Sequence, residues 1–473
     1  MVLSLLIIDA RRAGGLLVGV ALLALPGSVC AQDPARLTGD WTGVLGPLTL
    51  TVHLADPAGG PHTATLDVPM QHAQGLPLQF TAPTADSVYL HLPQAGAYFA
   101  GRRAAAGQQL VGTWHQSGQA LPLTLARATA GSAAAPHRPQ APKPPFPYQT
   151  ADVTFTNAPA GVVLAGTLTT PAGPGPFPAV VLLTGSGPED RNETLFGHQP
   201  FWVLADYLSR RGIAVLRFDD RGVGQSRGTQ AMSTSADYAT DAQAALAFIR
   251  ARPGIAPTHV GLLGHSEGGT AAIAAASQPQ GPNFLVLLAA PGLPGNELIM
   301  QQVLALGKLG GATPAQLLSA EKTQRQLLTI VELTPDDAQA RAQLRPLLSS
   351  GSAASPEGLA RADRQIDLLL SPAYRHLLAD CPAQTLPHVH CPVLALGGTK
   401  DVQVAAGPNL AAIAQGLKAG GNRAVTTQAL PGLNHLFQTA PTGAIGEYST
   451  IEETFAPSAL QIIGDWVAAH AQR

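Results

Sequence analysis

Charged side chains are scarce in this chain of 473 residues: Asp, Glu, Lys and Arg make up only 12%, and the formal net charge is −2. Polyanions and acidic membrane surfaces are attracted by clustered positive charge, so neither nucleic acid nor such a surface is expected as a partner. Apolar residues fill the deficit at 45%, enough for a large core, and this excludes a chain that is disordered overall. Cysteine occurs three times, at Cys30, Cys381 and Cys391. The last two, ten residues apart, would suit one disulfide in an oxidising compartment; Cys391 equally suits the start of a buried strand as a free thiol. Long hydrophobic runs are missing too. The apolar stretch Leu16 to Leu25 covers about ten residues, where a membrane-crossing helix needs roughly twenty. His388 and His390 have no acidic cluster beside them, so no metal is expected, and no cofactor is implied.

The length exceeds that of a usual single domain, and the composition shifts along the chain. Arg11-Arg12, the apolar Leu16–Leu25 run and the small residues Val29-Cys30-Ala31 read as a signal peptide over residues 1–31, which implies a secreted or periplasmic protein. Cys30 lacks the large aliphatic residue that a lipid-attachment site wants three positions earlier. Residues 33–128 carry short alternating runs at Leu48–Leu54, Thr63–Val68, Ser87–Leu92, Leu110–Trp114 and Leu121–Leu125. Such spacing predicts a small antiparallel β-barrel or sandwich with Trp41 and Trp114 in one core. That domain reads as a structural or homo-oligomerisation module, with substrate capture as the alternative. Residues 129–148, rich in Ala and Pro, read as a semi-rigid linker. Residues 149–473 alternate apolar strand-like runs with helical stretches and form an α/β domain.

Within that domain, Gly264-His265-Ser266-Glu267-Gly268 fits the G-x-S-x-G nucleophile elbow, in which a tight strand-to-helix turn lifts the serine hydroxyl clear of the sheet. With 50 glycines in the chain, the pentapeptide alone says little. Its setting says more: an apolar strand, Val260–Leu263, precedes it and a small-residue helix, Thr270–Ala276, follows. A serine nucleophile needs a base to take its proton and a carboxylate to orient that base. Both follow in the chain order Ser, Asp, His. Asp401 lies just past the apolar strand Cys391–Leu396, and His435 lies in the loop after Gln428–Leu430. Asp380 and Glu447 are the rival carboxylates. The early strand Ala179–Leu183 runs into Thr184-Gly185-Ser186-Gly187-Pro188, a turn suited to an oxyanion hole. Its donors are expected to be the N–H of Glu267 and that of Ser186 or Gly187. His265 is expected to pack under the elbow, and Asp219 to pair with Arg221 in an architectural turn. Between residues 292 and 388 the pairs Thr313-Pro314, Thr334-Pro335 and Ser355-Pro356 each predict a helix start.

In this order, these stretches resemble the α/β-hydrolase superfamily from about residue 150 to the end. Gly185-Ser186-Gly187-Pro188-Glu189-Asp190-Arg191-Asn192-Glu193-Thr194, together with the Asp219 turn and the elbow, is similar to a bacterial carboxylesterase subfamily related to the serine-aminopeptidase and dienelactone-hydrolase branches. Asn192 departs from the acidic residue expected there. The resemblance implies an α/β-hydrolase fold with a helical cap at about 292–388 and a Ser266/Asp401/His435 triad. It also implies hydrolysis of a small-molecule carboxylic ester through an acyl-enzyme. Aminopeptidase and thioesterase activities are the nearest rivals, and a non-catalytic binding protein on the same fold is the alternative from another class. Dehalogenase and epoxide-hydrolase chemistry is disfavoured, because those enzymes place Asp at the elbow.

Overall fold

A computed structural model describes residues 37–471, apart from residues 46–47, 56–62, 69–72, 83, 85, 105–106, 117–118, 129–136, 231–232 and 350–355. The expected signal peptide, with Arg11, Arg12 and Cys30, and the first part of the expected linker lie outside the described residues. What is described divides into two compact units, the second made of Pro136–Leu348 and Gln365–Arg473.

The first unit is built on eight antiparallel strands: β1 (Gly39–Leu45), β2 (Leu48–Ala55), β3 (Thr63–Val68), β4 (Ala73–Thr81), β5 (Ser87–Leu92), β6 (Ala97–Ala104), β7 (Gln109–Gln116) and β8 (Gln119–Arg127). Each pairs with the next, and β1 closes on β8 through Trp41↔Arg127 and Thr42↔Ala126. That closure makes the unit a barrel and not a sandwich. Alternate residues point inward, as the strand period of two requires: Ala64, Leu66 and Val68 from β3, and Val88, Leu90 and Leu92 from β5. Trp41 and Trp114 share this core with Phe99 and Leu110. The indole of Trp41 donates to the Leu37 carbonyl at 2.9 Å, which satisfies its one polar atom. Eight strands enclose an interior just wide enough for side chains to fill. Strands β1, β4 and β6 are additional to the five expected. Gly75 and Pro77 interrupt the pattern in β4, and Gly101-Arg102-Arg103 interrupts it in β6.

The second unit is an eight-stranded sheet flanked by helices. Its strands are β9 (Tyr148–Asn157), β10 (Val162–Pro171), β11 (Phe177–Leu183), β12 (Ala214–Phe218), β13 (Ile255–His265), β14 (Leu285–Leu288), β15 (Val393–Gly398) and β16 (Val425–Leu430). Their spatial order is β16-β15-β14-β13-β11-β12-β10-β9. Pairings from β12 to β16 are parallel, while β10 is antiparallel to both β9 and β12. Sheets covered on both faces have strands apolar at every position, and β11 is a case in point. Ala179, Val181 and Leu183 join one core; Val180 and Leu182 join the other. The first core is completed by α2 (Ser235–Arg250), α3 (Glu267–Ala276) and α10 (Ala406–Ala419), the second by α1 (Pro200–Ser209) and α11 (Pro457–His470).

Between β14 and β15 the chain inserts α4 (Gly295–Leu309), α5 (Pro314–Leu333), α6 (Asp337–Ser349), α7 (Pro356–Leu369), α8 (Pro372–Ala379) and α9 (Pro382–Thr385). Thr313 caps α5 as expected, in a reciprocal box with Gln316 and with Pro314 at the first helical position. Thr334 does not cap α6. Its carbonyl accepts from Arg375 at 3.1 Å, and Asp336 caps instead, accepting from the Gln339 N–H at 2.7 Å. A carboxylate one residue before the helix is the stronger competitor for that place. Ser355 lies outside the described residues. Among the described residues Cys381 and Cys391 are unpaired, and burial pushes the Cys391 thiol up to about 12. Among the described residues no helix is long and apolar enough to cross a membrane.

Candidate active site

Parallel strands present their carboxyl ends on one edge, where open α/β sheets bind ligands. Four loops at that edge carry the residues singled out from sequence. Ser266 directly follows β13 and takes φ 52°, ψ −120°, a strained conformation for a residue with a Cβ. The surrounding glycines are imposed by close packing. A Cβ on Gly264 would lie 2.2 Å from the Gly268 carbonyl oxygen, and one on Gly268 would lie 2.3 Å from those of Leu183 and Thr184. The turn is therefore held tight by contacts that a larger residue would break.

Asp401, three residues past β15, and His435, five past β16, meet Ser266 at this edge. His435 Nε2 lies 3.1 Å from Ser266 Oγ, and Nδ1 lies 2.8 Å from Asp401 Oδ2. The other carboxylate oxygen of Asp401 accepts from the N–H groups of Gln403 and Val404 at 2.8 and 2.9 Å. Held this way, Asp401 favours the tautomer in which Nδ1 carries the proton and Nε2 is free to accept one. The rival carboxylates lie elsewhere: Glu447 binds Thr442 and Gly443, and Asp380 follows α8. The base loop is braced from within by Asn434, wholly buried, whose Oδ1 accepts from the N–H groups of Leu436 and Gln438 at 3.0 and 2.9 Å.

The loop after β11 is gripped at both ends. Asp220 accepts from the Thr184 hydroxyl at 2.8 Å and the Glu189 N–H at 3.2 Å, while Glu193 accepts from the Gly185 N–H at 2.8 Å. Burial, with neighbouring carboxylates, pushes Glu189 up to about 9 and Asp220 up to about 8. Among the described residues no protein group accepts from the N–H of Ser186, Gly187 or Glu267. Burial raises the pKa of Glu267, opposed by the neighbouring Ser186 side chain, with His376 and Asp380 at the end of α8 in electrostatic range. His265 is buried, as expected, but not inertly: it faces Glu193 at 2.7 Å and the His435 carbonyl at 3.0 Å. That connection was not read from sequence.

Residues 200–344 match the family described as serine aminopeptidase, S33. Together with the strand order and the elbow, this decides the fold family. The second unit has the α/β-hydrolase fold. Esterase EstD of Thermotoga maritima is 33% identical over 197 residues, 41% of this chain and 44% of that protein. The chain thus spans less than half the length of that curated relative. Among solved structures, the α/β-hydrolase GrgF from a Penicillium species is 18% identical, with TM-score 0.43, covering 69% of this chain and all of that one. The Pyrococcus furiosus esterase Pf2001 is 15% identical, with TM-score 0.42, covering 70% of this chain and 98% of that one.

Two local expectations need correction in the hydrolase domain. Asp219 does not pair with Arg221. It binds Arg191 through both oxygens, at 2.9 and 2.7 Å, whereas Arg221 binds Asp241 at 2.7 and 2.9 Å. The turn sends Asp219 toward the segment after β11 and Arg221 toward α2, so each finds its partner on a different element. Asn192, standing where an acidic residue was expected, accepts from buried Arg217. Among the described residues Arg217 Nε has no partner, and burial lowers the guanidinium to about 10. Hydrogen bonds to charged groups contribute about 1.5–3 kcal/mol when the partner suits the charge. Asn192→Asp is therefore expected to stabilise the domain and raise its thermal midpoint, measured by scanning fluorimetry. A lowered midpoint would show that Arg217 is already satisfied.

Proposed function

We propose that the protein hydrolyses carboxylic esters through an acyl-enzyme on Ser266. One observation carries the reading: the unbroken path from Asp401 through His435 to Ser266 Oγ, at 2.8 and 3.1 Å, beside three amides with no protein acceptor. In the proposed sequence His435 Nε2 takes the hydroxyl proton as Ser266 Oγ attacks the ester carbonyl. Negative charge moves to the carbonyl oxygen, where the N–H of Glu267 and that of Ser186 or Gly187 would receive it. One such donor contributes roughly 2.7–4 kcal/mol in the transition state. The imidazolium then protonates the leaving alcohol, and water, activated by the same base, frees the acid. Asp401 keeps its negative charge throughout and stabilises the imidazolium. The Arg11-Arg12 and Leu16–Leu25 pattern supports an enzyme located outside the cytoplasm.

Aminopeptidase action is the second reading, favoured by the family match and by Glu267 next to the nucleophile, with Asp380 in electrostatic range of Glu267. A free amine, however, needs an ionised partner. Burial raises both carboxyls and so disfavours the charged form each would need. Ester hydrolysis is therefore preferred. A panel of p-nitrophenyl esters of increasing acyl length, run beside aminoacyl p-nitroanilides, tests the choice. Ester turnover without release from the anilides is expected; the reverse pattern would make the protein a peptidase.

A further inference from the structure

We infer that Glu193 and His265 form a positioning pair that locks the oxyanion loop, the nucleophile elbow and the base loop into one register. The inference deepens the ester-hydrolase reading and rests on it. Glu193 Oε1 accepts from the Gly185 N–H at 2.8 Å and faces His265 Nδ1 at 2.7 Å. On the far side of the ring, His265 Nε2 donates to the backbone carbonyl of His435 at 3.0 Å. One carboxylate and one imidazole therefore touch the loops after β11, β13 and β16, the three that supply the proposed oxyanion donors, nucleophile and base.

The chemistry of the partners fixes the protons. A carbonyl oxygen has none to give, so Nε2 carries one. Nδ1 faces the Glu193 oxygen that also accepts from Gly185, so one proton is held between the ring and the carboxyl. Burial alone would lower the pKa of His265, but the charge and hydrogen bond of Glu193, with the His435 carbonyl and the charge of Asp401, outweigh it and raise the pKa. The neighbouring rings are His435 at 4.9 Å and Phe437 at 6.5 Å between centroids. Glu193 is 1% exposed and holds φ 52°, a conformation that costs about 1–3 kcal/mol unless the surroundings enforce it. A backbone strained at the residue that joins three loops fits a device for placement.

A merely structural ion pair would lower the melting temperature without altering the rate per folded molecule. A positioning pair alters the rate, because a displacement of about 1 Å at reacting groups can cost roughly 10²-fold. The test compares wild type, Glu193→Gln, His265→Gln and the double variant in the full chain. Readouts are the rate of fluorophosphonate labelling at Ser266, kcat and KM on a short p-nitrophenyl ester, and the thermal midpoint. Each single variant is expected to lose roughly 10²-fold in labelling rate and kcat, with KM little changed. The double variant should lose no more than the worse single one, because the pair acts as a unit. Folded single variants that label at the wild-type rate, a loss confined to KM, or single losses that multiply in the double variant would each overturn the pair. If Glu193→Gln fails to fold, His265→Gln decides by the same readouts. A wild-type chain that takes no label at Ser266 overturns the ester-hydrolase reading and this inference with it. A labelled wild type with unimpaired variants overturns the inference alone.

Discussion

Ser266→Ala is expected to reduce kcat on any ester the protein turns over by roughly 10⁶-fold, the scale seen when a serine nucleophile is deleted from an intact triad. The reaction loses its covalent intermediate, and no neighbouring side chain can replace it. Water held near His435 could still be activated, and the proposed donors could still receive the oxyanion, so about 10³–10⁴-fold catalysis over bulk water should persist. Alanine keeps a Cβ, so the strain at φ 52° is neither added nor removed, and the thermal midpoint should hardly move. Steady-state hydrolysis with an unfolding scan of the same sample checks both halves. A variant retaining more than a few per cent of activity would place the nucleophile elsewhere.

Asp401→Asn is expected to lose about 10⁴-fold in kcat. The replacement fits the space, but its amide can turn an N–H toward His435 Nδ1. The imidazole would then carry its proton on Nε2, facing Ser266, and could not act as a base. The wild-type carboxylate is held by the N–H groups of Gln403 and Val404, which can only donate. An asparagine oxygen satisfies those donors best and so leaves its NH₂ toward the ring. This arrangement makes the loss a matter of proton placement and not of displaced loops. The pH profile of the residual activity, beside an unchanged unfolding midpoint, is the check. A loss below about tenfold would make another carboxylate the orienting group, with Glu447 the first to test.

The proposed triad was legible because each member sits where local rules put it. Ser266 lies in a small-residue pentapeptide between a strand and a helix; Asp401 follows a short apolar strand, and His435 a short, largely exposed one. Strand ends on one edge of a parallel sheet then bring together residues 169 and 34 positions apart. Glu193 and His265 were not legible as a pair, since nothing local relates residues 72 positions apart. The available signal was chemical: a histidine inside an elbow that must be buried, and an acidic residue in the stretch following the oxyanion turn. In the barrel, β3 and β5 announced themselves by strict alternation, while Pro77 in β4 and Arg102-Arg103 in β6 concealed strands that tertiary closure nonetheless forms. The α6 cap went to Asp336 because a carboxylate next to the helix start outcompetes the Thr334 hydroxyl.

Mapping the site of a covalent adduct tests the central claim most directly. The full chain is treated with a fluorophosphonate, digested, and its modified peptide sequenced by mass spectrometry. The account predicts a single adduct on Ser266, absent from Ser266→Ala and formed far more slowly in Asp401→Asn. An adduct on any other residue, or undiminished labelling of Ser266→Ala, would contradict it.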